Sequence, residues 1–179
     1  MDTTPDDILA FWTDAGPSKW FQGGEAFDRE CDRRFRALHF AAARREHEHW
    51  LETAEGGLAL LILLDQIPRN IFRGSGHAFA TDGLALHYAR AMVDAGFDRG
   101  FETDLRGFVY LPFEHSESID DQTRSVQLFA GVDNAQYREY AQAHLDVIAR
   151  FGRFPHRNRA LGRTSTAEEQ AWLDAGGGF

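Results

Sequence analysis

Apolar positions recur every three or four residues along most of the chain, the period of an α-helix that buries one face. Thr4 before Pro5, with Asp7 three residues after Thr4, is a helix-start pattern. It offers a hydroxyl cap, a residue whose φ is preset for the first turn, and an acid that bonds back to the cap. The helix it predicts carries Ile8, Leu9, Phe11 and Trp12 and stops near Gly16-Pro17. From about Glu25 to Glu46, Phe27, Cys31, Phe35, Leu38 and Ala42 form a stripe. Asp28, Arg29, Asp32, Arg33 and Arg36 lie opposite, on what reads as a solvated face. The stretch Leu58–Leu64 is apolar all round. Leucine and alanine outnumber β-branched residues in it, so it reads as a buried central helix, kinked or ended near Ile67 by Pro68.

The same period predicts a helix from about Asp82 to Ala95, with Leu84, Tyr88, Ala91, Met92 and Ala95 on one face and Gly96 past its end. A further helix spans about Thr103 to Tyr110 and stops at Leu111-Pro112. Ser118 with Asp121 resembles a capping box and opens a helix to about Ala130. Tyr137, Tyr140, Ala141, His144, Leu145, Ile148 and Phe151 make a stripe that ends at Gly152, so His144 points inward. Ser165 with Glu168 caps a last short helix through Trp172 and Leu173. The tail Gly176–Phe179 frays unless Phe179 docks. Trp20-Phe21, after Gly16-Pro17, reads as a lid over a pocket or, more readily, a plug at the edge of the core. No strand alternation and no long linker interrupt this pattern. The prediction is one all-α domain over residues 1–179, with seven or eight helices in antiparallel pairs.

Composition narrows the functional classes. The 179 residues carry 28 acids and 19 bases, a net charge of −9. Bulk nucleic acid and anionic membrane surfaces repel such a chain, so neither is an expected partner. Cys31 is the one cysteine, which excludes an internal disulfide and a cysteine zinc site. The first residues lack the basic and apolar stretches of a signal peptide, and no apolar run is long enough to span a bilayer. A soluble, cytoplasmic protein is expected.

Three segments set polar groups beside apolar anchors at helix ends. The first, Asp65 to Gly74, delivers Asp65, Gln66, Arg69, Asn70 and Arg73 directly after the most buried stretch. The second, Phe113 to Ser118, holds Glu114, His115, Ser116 and Glu117 in succession. A histidine beside carboxylates can move a proton. The third, Arg150 to Arg163, has five arginines and His156 with no acid, although the whole chain is acidic. Guanidinium forks suit carboxylate or phosphate. Burying so many charges singly is costly, so the segments are expected to converge on one region.

These segments resemble the signatures of a largely bacterial family, domain-of-unknown-function family 924. Leu64–Gly74, Tyr110–Glu117 and Arg150–Asn158 carry the resemblance. Ile8–Trp12, Trp20-Phe21 and Leu161–Thr166 fit it too, so it covers nearly the whole chain. It implies an all-α fold similar to tetratricopeptide-repeat-like helical arrays, and it implies no activity. Two positions depart from the family's pattern: Glu114 stands where methionine is expected, and Ile67 where phenylalanine is commoner.

The leading functional reading is a pocket for an anionic small molecule, a carboxylate or phosphate compound, with enzymatic use of the site left open. His115, His156 and Glu117 are its proton-transfer candidates. Asp65, Arg69, Asn70, Arg73, Arg153, Arg157 and Asn158 are its ligand-binding candidates. No glycine-rich phosphate loop, dinucleotide fingerprint or nucleophile elbow is present, and no metal or cofactor is assigned. One alternative is a peptide- or protein-binding module using a concave helical surface. The other is a purely internal network in which the arginines neutralise Asp65, Glu114 and Glu117.

Overall fold

The computed structural model describes residues 3–20 and 23–179, whose regular elements are all helical, with no strand among them. Helix α1 (Pro5–Ala15) starts as its sequence dictates. Thr4 Oγ1 accepts the Asp7 N–H, the Asp7 carboxylate accepts the Thr4 N–H, and Pro5 sits in the first turn. Gly16, at φ +70°, ends it. The short α2 (Pro17–Trp20) turns Trp20 inward, where its indole N–H donates to the Trp12 carbonyl at 2.7 Å. Phe21 lies outside the described residues. Helix α3 (Gly24–Ala43) buries Phe27, Cys31, Phe35, His39 and Ala42. His39, rather than Leu38, completes the stripe.

The reason for an inward histidine lies in the central run. Helix α4 (Ala54–Leu61), a π-helical turn (Ile62–Gln66) and α5 (Ile67–Ile71) follow one another without a break. Every residue from Leu58 to Pro68 is buried. Of the two outcomes expected of Pro68, a kink or an end, it does not end the run; the wider turn stands directly ahead of it. The Ile67 N–H bonds back to Ile62, which frees the Leu63 carbonyl. Pro68 has no N–H to offer Leu64. His39 Nδ1 donates to the Leu63 carbonyl at 2.9 Å, and the Thr81 hydroxyl donates to that of Leu64. Two side chains from elsewhere thus complete a backbone that cannot complete itself, as buried carbonyls require. Turns of this kind recur at functional sites.

The remaining helices are α6 (Asp82–Asp94), α7 (Thr103–Glu114), α8 (Ile119–Ala130), α9 (Ala135–Phe151) and α10 (Ala167–Asp174). Five expectations need correction. Helix α6 turns Ala85, Tyr88, Ala89 and Met92 inward, while Ala91 and Ala95 are exposed. Helix α7 continues through Pro112 to Glu114. Ser118 makes no side-chain cap at α8, because Asp121 is engaged by Ser116 and Arg90 instead. The capping box of α10 is Thr166 with Glu169, one residue later than read from the sequence. Tyr140 faces outward from α9, whereas His144 is buried as expected.

Helix α4 packs on α1, α6 and α7, and α3 covers the π turn and α5. Beyond that, α6 packs on α7, α7 on α8 and α8 on α9. A small apolar cluster of Val147, Ile148 and Phe154, with Phe151 and Trp172 against it, stands beside the main core. The polar segments meet near it. No described helix is long and apolar enough to cross a membrane.

The Thr81 hydroxyl is testable by itself. Thr81→Val keeps the shape but leaves the buried Leu64 carbonyl without a donor, and should cost about 1–3 kcal/mol in urea unfolding. Thr81→Ser, which keeps the donor, should lose much less. Equal losses in the two variants would contradict this account of the π turn.

Candidate functional site

The π turn places Asp65 at the centre of the polar cluster with its side chain 1% exposed. Gln66 Nε2 donates to the carboxylate at 2.6 Å and His115 Nδ1 approaches it at 2.7 Å. Arg69, one helical turn on, lies 3.6 Å away. The Arg69 fork closes on both oxygens of Asp82 at 2.7 and 2.9 Å, and also meets the Ala78 carbonyl. Arg157 Nη1 donates to Asp82 at 3.2 Å and to the His115 carbonyl at 3.1 Å. Asp65, Arg69, Asp82, Arg157 and His115 therefore form a closed circuit. Aromatic faces line it: both arginines lie over Phe79, and Arg157 also over Phe154 at 4.5 Å.

Burial alone would push the Asp65 carboxyl upward. His115, its hydrogen bond and Arg69 outweigh that and hold it at about 2. An ionised carboxylate only accepts, so His115 Nδ1 carries the proton and Nε2 is left on the other edge of the ring. The His115 side chain is 16% exposed, in contrast to its partner. Burial and the nearby cations Arg69 and Arg157 act differently on the rest of the cluster. Arg157 is brought down to about 10, by burial first and by Arg69 second. His156 falls to about 4 through burial and its Arg157 neighbour.

Glu114 directly precedes His115 and is also buried. Burial, then the Asp65 charge, pushes its carboxyl up to about 8. Its Oε1 lies 3.4 Å from His144 Nδ1, while Oε2 has no hydrogen-bond partner. The His144 ring, which donates from Nδ1 to the Tyr140 carbonyl at 2.8 Å, is held down at about 3 by burial. Between those two values both groups are uncharged, so their contact is a neutral one and not an ion pair.

The other sequence-predicted residues are placed differently. Asn70 and Arg73 both bind Asp28, which is therefore not on a solvated face. Arg153 grips Glu169 with two bonds, and Asn158 reaches Ser165 and the same Glu169. Glu117 accepts two bonds from Arg163 and one from the Phe154 N–H, so it fixes the Phe154 segment while Asp65 orients His115. Sequence reasoning missed the acids Asp28, Asp82 and Glu169, which answer these arginines. A hollow of about 600 Å³ between α1 and α3, lined by Phe11, Lys19, Phe27 and Arg34 among others, lies apart from the circuit; none of its residues lines that hollow.

The elevated Glu114 carboxyl makes a pH prediction. Its folded value near 8, against an ordinary 4.5, means that the native state binds the proton more tightly than the unfolded chain does. Stability is then fully present below about pH 4.5, is lost as pH rises toward 8, and levels off above that. Glu114→Gln should remove this loss. Its stability advantage over wild type should grow across that window to a few kcal/mol, on the order of 1.4 kcal/mol per unit of displacement. An advantage independent of pH, followed by chemical denaturation from pH 5 to 9, would contradict it.

No curated protein matches the chain. A solved structure described as a protein of unknown function, ATU0120, from Agrobacterium tumefaciens superposes with a TM-score of 0.92 at 49% identity, covering 96% of this chain and 97% of that one. The sequence model of the family described as "Bacterial protein of unknown function (DUF924)" matches residues 8–177. That match takes in all three polar segments and the helices that carry them, and the chain belongs to the DUF924 family.

Proposed function

We propose that the protein is an acid–base catalyst acting on an anionic small molecule, a carboxylate or phosphate compound. His115 carries the proton, Asp65 holds its ring, and Arg157 faces the ligand's charge. The observation that supports this best is the 2.7 Å contact between His115 Nδ1 and a fully buried, ionised Asp65. A carboxylate so placed fixes the tautomer and orientation of the imidazole, leaving Nε2 to accept or give a proton. That is more than charge neutralisation needs, since Arg69 already sits beside Asp65.

Of the other candidates, Arg69 is a positioning residue, holding Asp65 and Asp82. His156 lines the site next to Arg157. Glu117, Asn70, Arg73, Arg153 and Asn158 support the fold around it. The arginine circuit favours an anion: burial first and a neighbouring cation second depress Arg157 and His156, and negative charge relieves the cationic part.

The test is a thermal-shift screen of small carboxylates and phosphates, followed by a turnover assay on each compound that stabilises the protein. At least one such anion should stabilise wild type and be converted. His115→Gln should bind it comparably and lose about 10²–10⁴-fold in turnover. No stabilisation by any anion, or unchanged turnover in His115→Gln, would overturn the proposal.

A further inference from the structure

The segment after α10 crosses the site. Gly176 and Gly178, at φ +86° and +144°, take backbone conformations that side chains disfavour, and a Cβ on Gly178 would already touch His156. The segment delivers the Phe179 ring onto His144, stacked at 3.6 Å between centroids with a 15° tilt. Phe179 also stands edge-on to Phe154 at 6.2 Å and to His156 at 5.7 Å. One phenyl ring thus sits among three aromatic walls, with half its surface still exposed.

The polar groups around this ring are incompletely satisfied. Glu114 Oε2 and His156 Nδ1 are both buried without a hydrogen-bond partner. Glu114 reaches the edge of His144, and His156 is itself one of the walls. Arg157 lies over the next wall, Phe154, and its buried Nε also lacks a partner. Buried donors and acceptors with nothing to bond are uncommon, and three of them stand around these aromatic walls. Neighbouring His115 is 6.4 Å from His144, ring to ring.

We propose that His144, Phe154 and His156 form a ring-binding subsite that Phe179 occupies as an internal stand-in, and that the site's ligand is an aromatic carboxylic acid. The ligand's ring replaces Phe179 on His144. Its carboxylate meets the Arg157–His156 side and accepts from the neutral Glu114 carboxyl. The inference rests on the proton-transfer reading, and names the substrate class for it. Phe179 is a competitor held by a glycine-rich tether, so its removal raises the apparent affinity for an external ring. Of the ligand sources with this chemistry, a free aromatic acid fits better than a purely aliphatic anion, because a flat ring is what the walls already hold.

Calorimetry with phenylacetate as the probe, on the full chain, tests this. Phe179→Ala should bind phenylacetate about tenfold more tightly than wild type. Cyclohexylacetate, with the charge but no flat ring, and benzyl alcohol, with the ring but no charge, should each bind at least about tenfold more weakly. Adding His144→Leu to Phe179→Ala should abolish the gain. Proton resonances of the His144 ring, which lies face-on against Phe179, should shift in Phe179→Ala and shift back when phenylacetate is added; this reads the subsite even where His144→Leu disturbs folding. Equal affinity in wild type and Phe179→Ala, or equal binding of phenylacetate and cyclohexylacetate, would overturn the proposal. His115→Gln separates the two claims: intact phenylacetate binding with no turnover of any anion, in wild type as well, would sink proton transfer and leave the ring subsite standing.

Discussion

A negative charge with almost no exposed surface, Asp65, is the constraint around which this part of the molecule is arranged. An isolated carboxylate in such a place would take up a proton or unfold its surroundings. Here the answer comes from three distances along the chain: Gln66 beside it, Arg69 one turn later, and His115 fifty residues on. Arg69 in turn needs Asp82, and Asp82 needs Arg157. Each added charge is answered by the next, until the circuit returns to the His115 carbonyl. The ends of α5, α6 and α7 and the arginine-rich segment after α9 are thereby tied to one point.

The same environment divides the histidines into two kinds. His115 touches an ionised carboxylate and keeps a partly open edge. His144 is buried and His156 half-buried, beside cations and a neutral acid, and their imidazoles stay uncharged well into acidic solution. Neighbouring rings thus offer different chemistry, a proton carrier next to neutral aromatic walls. Glu114 belongs with the second kind. Its ionisation would place a second negative charge close to Asp65, which together with burial is why it stays protonated.

Helix positions were legible because burial follows a 3.6-residue period, and caps such as Thr4–Asp7 have local geometry. The π turn was not. It exists because His39 and Thr81 supply donors to Leu63 and Leu64, and neither residue is marked in sequence as their partner. Asp65, Arg69, His115 and Arg157 stood out as polar residues attached to apolar anchors, and they do meet. Asp82 did not stand out, because an acid in the first turn of a helix already has a local explanation. Its pairing with Arg157 spans 75 residues. The same holds for Glu169, in the first turn of the last helix, and for Asp28, read as one member of a charged face. Phe179 was legible only as a condition: it docks, and the stack on His144 shows where.

The central claim is that Asp65 is an ionised carboxylate that fixes the His115 tautomer. Long-range proton–nitrogen correlation spectra of the imidazole ring measure this directly. A proton on Nδ1 in wild type at neutral pH, transferred to Nε2 or exchanging between nitrogens in Asp65→Ala, is the predicted result. A wild-type His115 with an unprotonated Nδ1 and its proton on Nε2 would contradict the account.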